Sequence, residues 1–134
     1  MQVIVRLAAP CRCVRLTSDV RSHVSHFREF EKEAIRLLAA PLFDASSIEI
    51  ILADAELVSY DYSGVGYFLT VRHLAVPVGR VVLSEPEVAG RCGDVAGGFL
   101  VFVEGGELML ECYTAGSIEV PASFRDLEVR VGAI

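Results

Sequence analysis

The stretch FLVFVEGGELMLECY, residues 99–113, decides the fold because it contains two alternating apolar strands joined by Gly105-Gly106. A glycine pair between two such strands is typical of a tight β-hairpin, since glycine adopts the positive φ angles that the turn needs. The predicted register pairs Phe99 with Cys112, Val101 with Leu110, Val103 with Leu108, and Phe102 with Met109. It also places Glu104 directly opposite Glu107, and like charges opposed in a ladder destabilise it unless a cation screens them.

Shorter strands are predicted on both sides of this hairpin. Short or alternating apolar runs indicate strands at residues 48–53, 58–62, 67–71, 81–84, 118–120 and 127–131. A loop is expected around Pro86, Gly90, Gly93 and Gly97. Because short antiparallel strands with frequent turn residues form hairpin-rich sheets, we expect a sheet of about six to eight strands.

One long N-terminal helix is predicted ahead of the sheet, after an extended segment. Thr17, Ser18 and Asp19 supply N-cap chemistry, and Pro41 ends the helical pattern. Apolar residues at helical spacing between these points predict an amphipathic helix that packs on the sheet. The expected fold class is therefore α+β, with one domain over residues 1–134.

Two polar residues interrupt the apolar face of this helix. Glu31 lies in the middle of the apolar arc, and His23 lies on its flank. Because an isolated buried charge costs several kcal/mol even after relaxation, Glu31 requires a partner. A structural ion pair with an arginine from the sheet is one interpretation. A carboxyl group that faces a ligand pocket is the other.

Pairing of residues 58–62 with 67–71 assigns side chains to the two faces of the sheet. One face carries Tyr60, Tyr62, Tyr67 and His73, and the other carries Ser59, Asp61, Phe68, Thr70 and Arg72. The three tyrosines are a candidate binding surface, because tyrosine combines apolar area with a hydroxyl group. Core packing beneath the helix is the alternative.

Charge is distributed unevenly along the chain, whose net charge is -6. Residues 1–40 carry seven basic and four acidic side chains, or +3, whereas residues 41–134 carry five basic and fourteen acidic ones, or -9. An acidic surface repels phosphate backbones, so no nucleic-acid partner is expected and a basic protein partner is the electrostatic match. The candidate binding residues on the acidic edge are Glu104, Glu107 and Glu111.

The apolar runs and the cysteines bear on the cellular compartment. No uninterrupted apolar run approaches the roughly 20 residues that span a bilayer, and the N-terminus lacks the pattern of a secretory signal. We therefore expect no membrane association, a cytoplasmic location and reduced thiols at Cys11, Cys13, Cys92 and Cys112. Eleven of the twelve basic residues are arginine, which indicates a GC-rich coding sequence and a bacterial source.

No motif is specific enough to identify a chemistry. Gly64-Val65-Gly66 lacks the further glycine and the helix of a phosphate loop, and the cysteines lack the paired spacing of structural zinc sites. His23, His26 and His73 are an alternative zinc set, which the polar border position of the first two disfavours. We expect neither a cofactor nor a metal.

Three segments within residues 60–125, about half of the chain, carry recognisable motifs: GYFLTVRH, GFLVFVEGGELMLEC and VPxxFR. In these segments the chain resembles an uncharacterised group of small bacterial proteins with no assigned activity. The shared motifs are strand and turn patterns, so the resemblance implies the sheet and leaves the function open.

Two functions follow from these features. The first is a non-catalytic interaction domain, similar to an immunity or adaptor protein, that binds a basic partner through its acidic edge. The second is a small enzyme or small-molecule binder with a pocket between the helix and the tyrosine face, where Glu31 and His73 supply polar groups. A homodimer of structural role is a third alternative.

Overall fold

A computed structural model describes residues 25–134. The extended N-terminal segment, the predicted N-cap residues 17–19, His23, Cys11 and Cys13 lie outside the described residues. The described part is α+β, with two helices and one antiparallel sheet, as the sequence predicts.

The sheet contains six strands in the described part of the chain. They are β1 (Glu56–Tyr62), β2 (Tyr67–Arg72), β3 (Val81–Cys92), β4 (Val95–Glu104), β5 (Glu107–Thr114) and β6 (Arg130–Ala133). Their order across the sheet is β1-β2-β5-β4-β3-β6, and all neighbouring pairs are antiparallel. The strands β1 and β6 are therefore the edges of the described sheet.

The central hairpin has the predicted register. Phe99 lies opposite Cys112, Val101 opposite Leu110, Val103 opposite Leu108, Phe102 opposite Met109, and Glu104 opposite Glu107. Gly105 and Gly106 have φ angles of 63° and 82°, which side chains with a Cβ rarely adopt. The turn thus requires both glycines, and it fixes which residues of β4 and β5 face the helices.

The first helix is much shorter than predicted. Helix α1 spans Glu29–Ala39, and Arg28 at its N-cap has extended backbone angles. The Glu31 side chain accepts a hydrogen bond from the Arg28 backbone N–H at 2.7 Å, which is the carboxylate half of a capping box. The helix begins at this cap, so the prediction of a long helix from residues 17–19 is wrong for residues 25–28.

A second helix replaces the strand predicted at residues 48–53. Helix α2 spans Ala45–Asp54, and its N-cap Asp44 accepts a hydrogen bond from the Ser47 backbone N–H at 2.8 Å. The buried side chains are Ile48, Ile51 and Leu52, which follow helical spacing. A short apolar run fits a strand or a helix equally well, and the capping aspartate favours the helix.

Most of the glycine-rich stretch after residue 84 is part of the sheet and not a loop, and only Gly93 of the expected loop residues lies in a turn, between β3 and β4. Strand β3 continues to Cys92, and its second half pairs with β4 after a register shift between Leu83 and Val88. The predicted strand at residues 118–120 is absent from the described sheet. A 3₁₀ helix follows at Ala122–Asp126, and the last strand covers only Arg130–Ala133.

Helix α1 covers one face of the sheet, where it contacts β3, β4 and β6. Phe30 from the helix packs against Phe99 of β4 and Phe124 of the 3₁₀ helix, with ring centroids 6.1 and 5.6 Å apart. Buried apolar side chains of the sheet complete this core, among them Leu69, Val101 and Leu110. We call this the inner face of the sheet, and the opposite side the outer face.

The cysteines differ from the expectation of reduced thiols. Cys92 is disulfide-bonded, so that expectation is wrong at this position. Cys112 is free and buried in the core. Neither α1 nor α2 is long and apolar enough to cross a membrane.

Candidate functional site

The carboxylate of Glu31 lies fully buried at the centre of a hydrogen-bond network. Arg125 donates to it twice, from Nε to Oε2 at 2.6 Å and from Nη2 to Oε1 at 2.8 Å. The Tyr67 hydroxyl donates to Oε2, and the Arg28 backbone N–H donates to Oε1. Each carboxylate oxygen therefore accepts two hydrogen bonds, which uses its ordinary accepting capacity.

This network identifies the partner that Glu31 requires. The partner is an arginine, as the first interpretation predicts, but it comes from the 3₁₀ helix Ala122–Asp126 and not from a strand. A bidentate arginine with two further donors offsets the cost of removing the carboxylate from water. Glu31 thereby joins α1 to the 3₁₀ helix and to β2.

The Arg125 side chain is 13% exposed, and its guanidinium packs against the tyrosine side of the sheet. Its Cζ lies 5.2 Å from the ring centroid of Tyr60 and 5.6 Å from that of Tyr67, within cation–π range. Burial alone lowers the pKa of Arg125, but the hydrogen bonds and charge of Glu31 raise it overall. Burial, followed by the charge of Glu31, raises the pKa of Tyr67 well above its usual range. The arginine stays charged, and the tyrosine stays a donor.

The three tyrosines share a face as predicted, but they differ in role. Tyr67 is buried, whereas Tyr60 and Tyr62 are 38% and 37% exposed. The Tyr62 hydroxyl lies 2.8 Å from the Val120 backbone oxygen, to which it donates. Tyr67 is therefore part of the core, and Tyr62 binds the loop that contains Val120. Two of the three tyrosines thus have a structural role.

His73 does not join Glu31. It is half-buried in the turn after β2, where its Nδ1 accepts a hydrogen bond from the Ala75 backbone N–H at 2.9 Å. Tyr67, which contacts Glu31, begins the same strand, so about 20 Å of extended chain separates the two positions. Asp61 lies one register position from Tyr62, on the outer face. The structure therefore brings neither His73 nor Asp61 to the Glu31 carboxylate.

The predicted acidic edge is wrong in position, because Glu104, Glu107 and Glu111 lie on the central strands β4 and β5. Arginines that sequence reasoning did not pair with Glu104 and Glu107 balance their charges. Glu107 accepts a hydrogen bond from Arg72 Nη2 at 2.7 Å, and Glu104 lies 3.8 Å from Arg80 Nε. Arg72 also lies 4.0 Å from Glu56, so opposite charges alternate across β1, β2 and β5 in this row. Arg72 lies opposite Glu107 because β2 pairs with β5, and the predicted strands did not include this pairing.

Glu111 is different from the other two glutamates. It is half-buried on the outer face, with Phe68 and Leu100 as its neighbours in the register. Burial raises the pKa of Glu111. Among the residues that the structure describes, none forms an ion pair or a side-chain hydrogen bond with it.

The outer face around Glu111 carries apolar and acidic side chains together. Two rows run across the strands: Asp61, Phe68 and Glu111 in one, and Ser59, Thr70, Met109 and Phe102 in the next. We call Asp61, Phe68, Thr70, Met109 and Glu111 the outer patch. Thr70 is only 9% exposed, and its hydroxyl forms no hydrogen bond within residues 25–134. Helix α1 lies on the inner face and α2 packs against α1, so neither of them covers this patch.

The outer patch presents acidic and apolar side chains on one face of the sheet. Within residues 25–134, no group of three or more His, Cys, Asp or Glu side chains is arranged to hold a metal ion. Comparisons of the chain with protein-family models, curated proteins and solved structures gave no match.

Proposed function

We propose that the chain is a non-catalytic interaction domain that binds a basic protein partner, in the manner of an immunity or adaptor protein. Negative charge supports this proposal: residues 25–134 contain 17 acidic and eight basic side chains, a difference of -9. The negative electrostatic potential of this excess charge attracts cationic proteins and repels nucleic acids. The contact would therefore weaken as salt concentration rises.

The observation that carries the proposal is the unequal pairing of the acidic residues. Arginines and a lysine are used where pairs form: Arg36 binds Glu49, Arg72 binds Glu107, and Lys32 binds Glu29. Asp61 and Glu111 on the outer face have no such partner among the described residues. A basic protein supplies the missing positive charge.

The small-molecule alternative has less support from the geometry. It relies on Glu31 and His73 around a pocket between the helix and the tyrosine face. The four hydrogen bonds to Glu31 and the distant position of His73 give neither side chain a free role toward a common ligand.

The predicted cytoplasmic location of a bacterial protein stays a prediction. Disulfides persist mainly in oxidising compartments, so the disulfide at Cys92 weighs against it. Cell fractionation of the source organism, with thiol labelling before lysis, tests this point.

A pull-down with the purified chain tests the proposed function. Lysate of the source organism is applied at about 50 mM and about 500 mM salt, and retained proteins are identified by mass spectrometry. We expect a partner of high isoelectric point that is retained at low salt and released at high salt. Purification of that partner and calorimetric titration must then give one-to-one binding. Absence of any salt-sensitive basic partner contradicts the proposal.

A further inference from the structure

We propose that the outer patch docks an arginine of the partner, with the guanidinium over the Phe68 ring and between the Asp61 and Glu111 carboxylates. The inference rests on the proposed function and specifies where and how the basic partner binds. The occupant is an exposed partner segment that presents one arginine flanked by apolar side chains.

The first support is the order of side chains across three neighbouring strands. Asp61 on β1 lies opposite Phe68 on β2, which lies opposite Glu111 on β5. Neighbouring strands are about 4.8 Å apart, so the two acidic positions are about 10 Å apart with an aromatic ring between them. A planar cation over this ring is attracted by its π face and lies within reach of a carboxylate on each side.

The second support is the unsatisfied hydroxyl group of Thr70. Thr70 follows Phe68 by two positions on β2, so both side chains point to the outer face. Thr70 as a whole residue is only 9% exposed, and its hydroxyl lacks a hydrogen bond within the described residues. A buried polar group without a partner costs free energy. A ligand N–H over the patch supplies the missing partner. This observation is independent of the acidic charges.

The geometry favours arginine over lysine. A guanidinium stacks flat on an aromatic ring and donates in several directions within one plane, whereas an ammonium group is a compact, strongly hydrated charge. Two carboxylates on opposite sides of a ring match the planar group. The half-buried setting of Glu111 also favours the more weakly hydrated cation.

The apolar residues of the patch explain the expected flanking side chains. Met109 lies opposite Thr70 on one side and Phe102 on the other, and both Met109 and Phe102 are half-buried. These side chains offer apolar area beside the charged row. A leucine or similar residue next to the arginine covers it.

The paired charges at Glu104 and Glu107, in the row next to the patch, provide a comparison for the unpaired charges of the patch. Glu104 on β4 and Glu107 on β5 are a second acidic pair, but Arg80 and Arg72 compensate their charges. Binding that depends on net charge alone responds equally to the loss of either acidic pair. Binding at the outer patch responds only to the loss of Asp61 and Glu111.

The test uses the full chain and capped tripeptides of sequence Leu-Arg-Leu, Leu-Lys-Leu and Leu-citrulline-Leu. Nuclear magnetic resonance follows the backbone amides during each titration at low salt. We expect the arginine peptide to shift the amides of Asp61, Phe68, Thr70 and Glu111, with a Kd on the order of millimolar. The lysine peptide should bind several-fold more weakly, and the uncharged citrulline peptide should cause no comparable shifts.

Two double variants with the same net charge separate the site from general electrostatics. D61N/E111Q should raise the Kd of the arginine peptide about tenfold, whereas E104Q/E107Q should change it less than about twofold. F68L keeps apolar volume but removes the ring, and should reduce the preference for arginine over lysine. Equal losses in both double variants, shifts centred elsewhere, or absence of binding would overturn the inference.

A second copy of the chain is the competing occupant. Light scattering that shows a dimer, abolished by D61N/E111Q and retained by E104Q/E107Q, would overturn the inference in favour of self-association.

The experiments distinguish failure of the docking site from failure of the proposed function. If the pull-down yields a basic partner that binds D61N/E111Q as tightly as the native chain, the proposed function stands and the docking site is wrong. If no salt-sensitive partner is retained, the proposed function fails whatever the peptides do.

Discussion

Arg125 and Glu31 form a buried bidentate ion pair although 94 residues separate them in the sequence. Arg125 belongs to the 3₁₀ helix near the C-terminus, and Glu31 belongs to the first turn of α1. Because both charges are removed from water, each depends on the other. The pair therefore holds the first described helix against the last part of the chain.

We expect Arg125→Ala to lower the free energy of unfolding by about 3–5 kcal/mol, because it leaves the Glu31 carboxylate buried without a counter-charge. Urea unfolding followed by circular dichroism measures this loss. The matched control is Arg36→Ala, which removes another bidentate arginine, bound to Glu49 at 2.6 Å and 3.0 Å on the surface. This exposed pair should contribute little or nothing measurable. Similar losses in both variants would show that burial does not set the cost.

The capping role of Glu31 makes a milder substitution informative as well. Glu31→Gln keeps the size of the side chain and part of its hydrogen bonding, but it leaves Arg125 buried without a counter-charge. Retention of native stability by this variant would contradict the ion-pair account and would assign Glu31 to capping alone.

The sequence predicts local structure well where one signal dominates. The Gly105-Gly106 turn and the alternation around it determine the register of β4 and β5 residue by residue. Residues 48–53 show the opposite case, since the apolar run suits a strand or a helix and the Asp44 cap selects the helix. The sequence does not predict that β3 continues beyond residue 84, because glycine and proline usually indicate loops.

The candidate site is predictable only in part. The position of Glu31 in the apolar arc predicts that it needs a partner, but nothing local identifies an arginine 94 residues away. The face assignment of Asp61, Phe68 and Thr70 follows from strand alternation and is confirmed. The lack of an ion-pair partner for Asp61 and Glu111 among the described residues depends on the tertiary structure, which places Arg72 and Arg80 next to Glu107 and Glu104.

Cys112 should be unreactive in the folded protein. Burial, followed by the charges of Glu31 and Glu111, raises the pKa of Cys112 to about 12. At pH 8 only about one thiol in ten thousand is then ionised, and thiolate is the reactive form. We expect labelling of Cys112 by iodoacetamide to stay negligible at both about pH 7 and about pH 9, whereas an ordinary cysteine is labelled readily over this range.

Peptide mapping by mass spectrometry isolates the Cys112 signal from those of the other cysteines. Labelling in urea provides the positive control, because unfolding exposes the thiol and returns its pKa to the ordinary range. Rapid labelling of Cys112 in the native chain at pH 8 would contradict the buried position of this side chain.

Glu111 should titrate at a higher pH than an ordinary glutamate, because burial raises its pKa. An acid whose pKa is raised by folding destabilises the folded state once it ionises. Glu111→Gln should therefore increase stability above the raised pKa, and the advantage should disappear as pH falls below the ordinary carboxyl pKa. Carbon-detected magnetic resonance gives the midpoint directly.

Glu49 supplies a comparison of opposite sign. The hydrogen bond from Arg36 lowers the pKa of Glu49, so its midpoint should fall below that of an ordinary glutamate, and below that of Glu111. A midpoint of Glu111 at or below that of Glu49 would show that a counter-charge compensates Glu111, which would also weaken the docking proposal.

Gly66 should tolerate no side chain, because it lies directly against the backbone of β5. A Cβ built on Gly66 would lie 2.1 Å from the Cys112 backbone oxygen and 3.1 Å from the Tyr113 Cα. Backbone atoms within a paired strand cannot move away without breaking the β2–β5 register, so Gly66→Ala should lower the free energy of unfolding by about 1–3 kcal/mol.

The matched control is Gly98→Ala on β4, where the added Cβ would meet the Tyr113 ring, 2.2 Å from its Cζ. That ring is the end of a movable side chain and can rotate outward, so the control should lose less stability in the same urea experiment. If Gly98→Ala is the more damaging substitution, the Tyr113 ring is held as rigidly as the strand, and the outer face is more tightly packed than its exposure indicates.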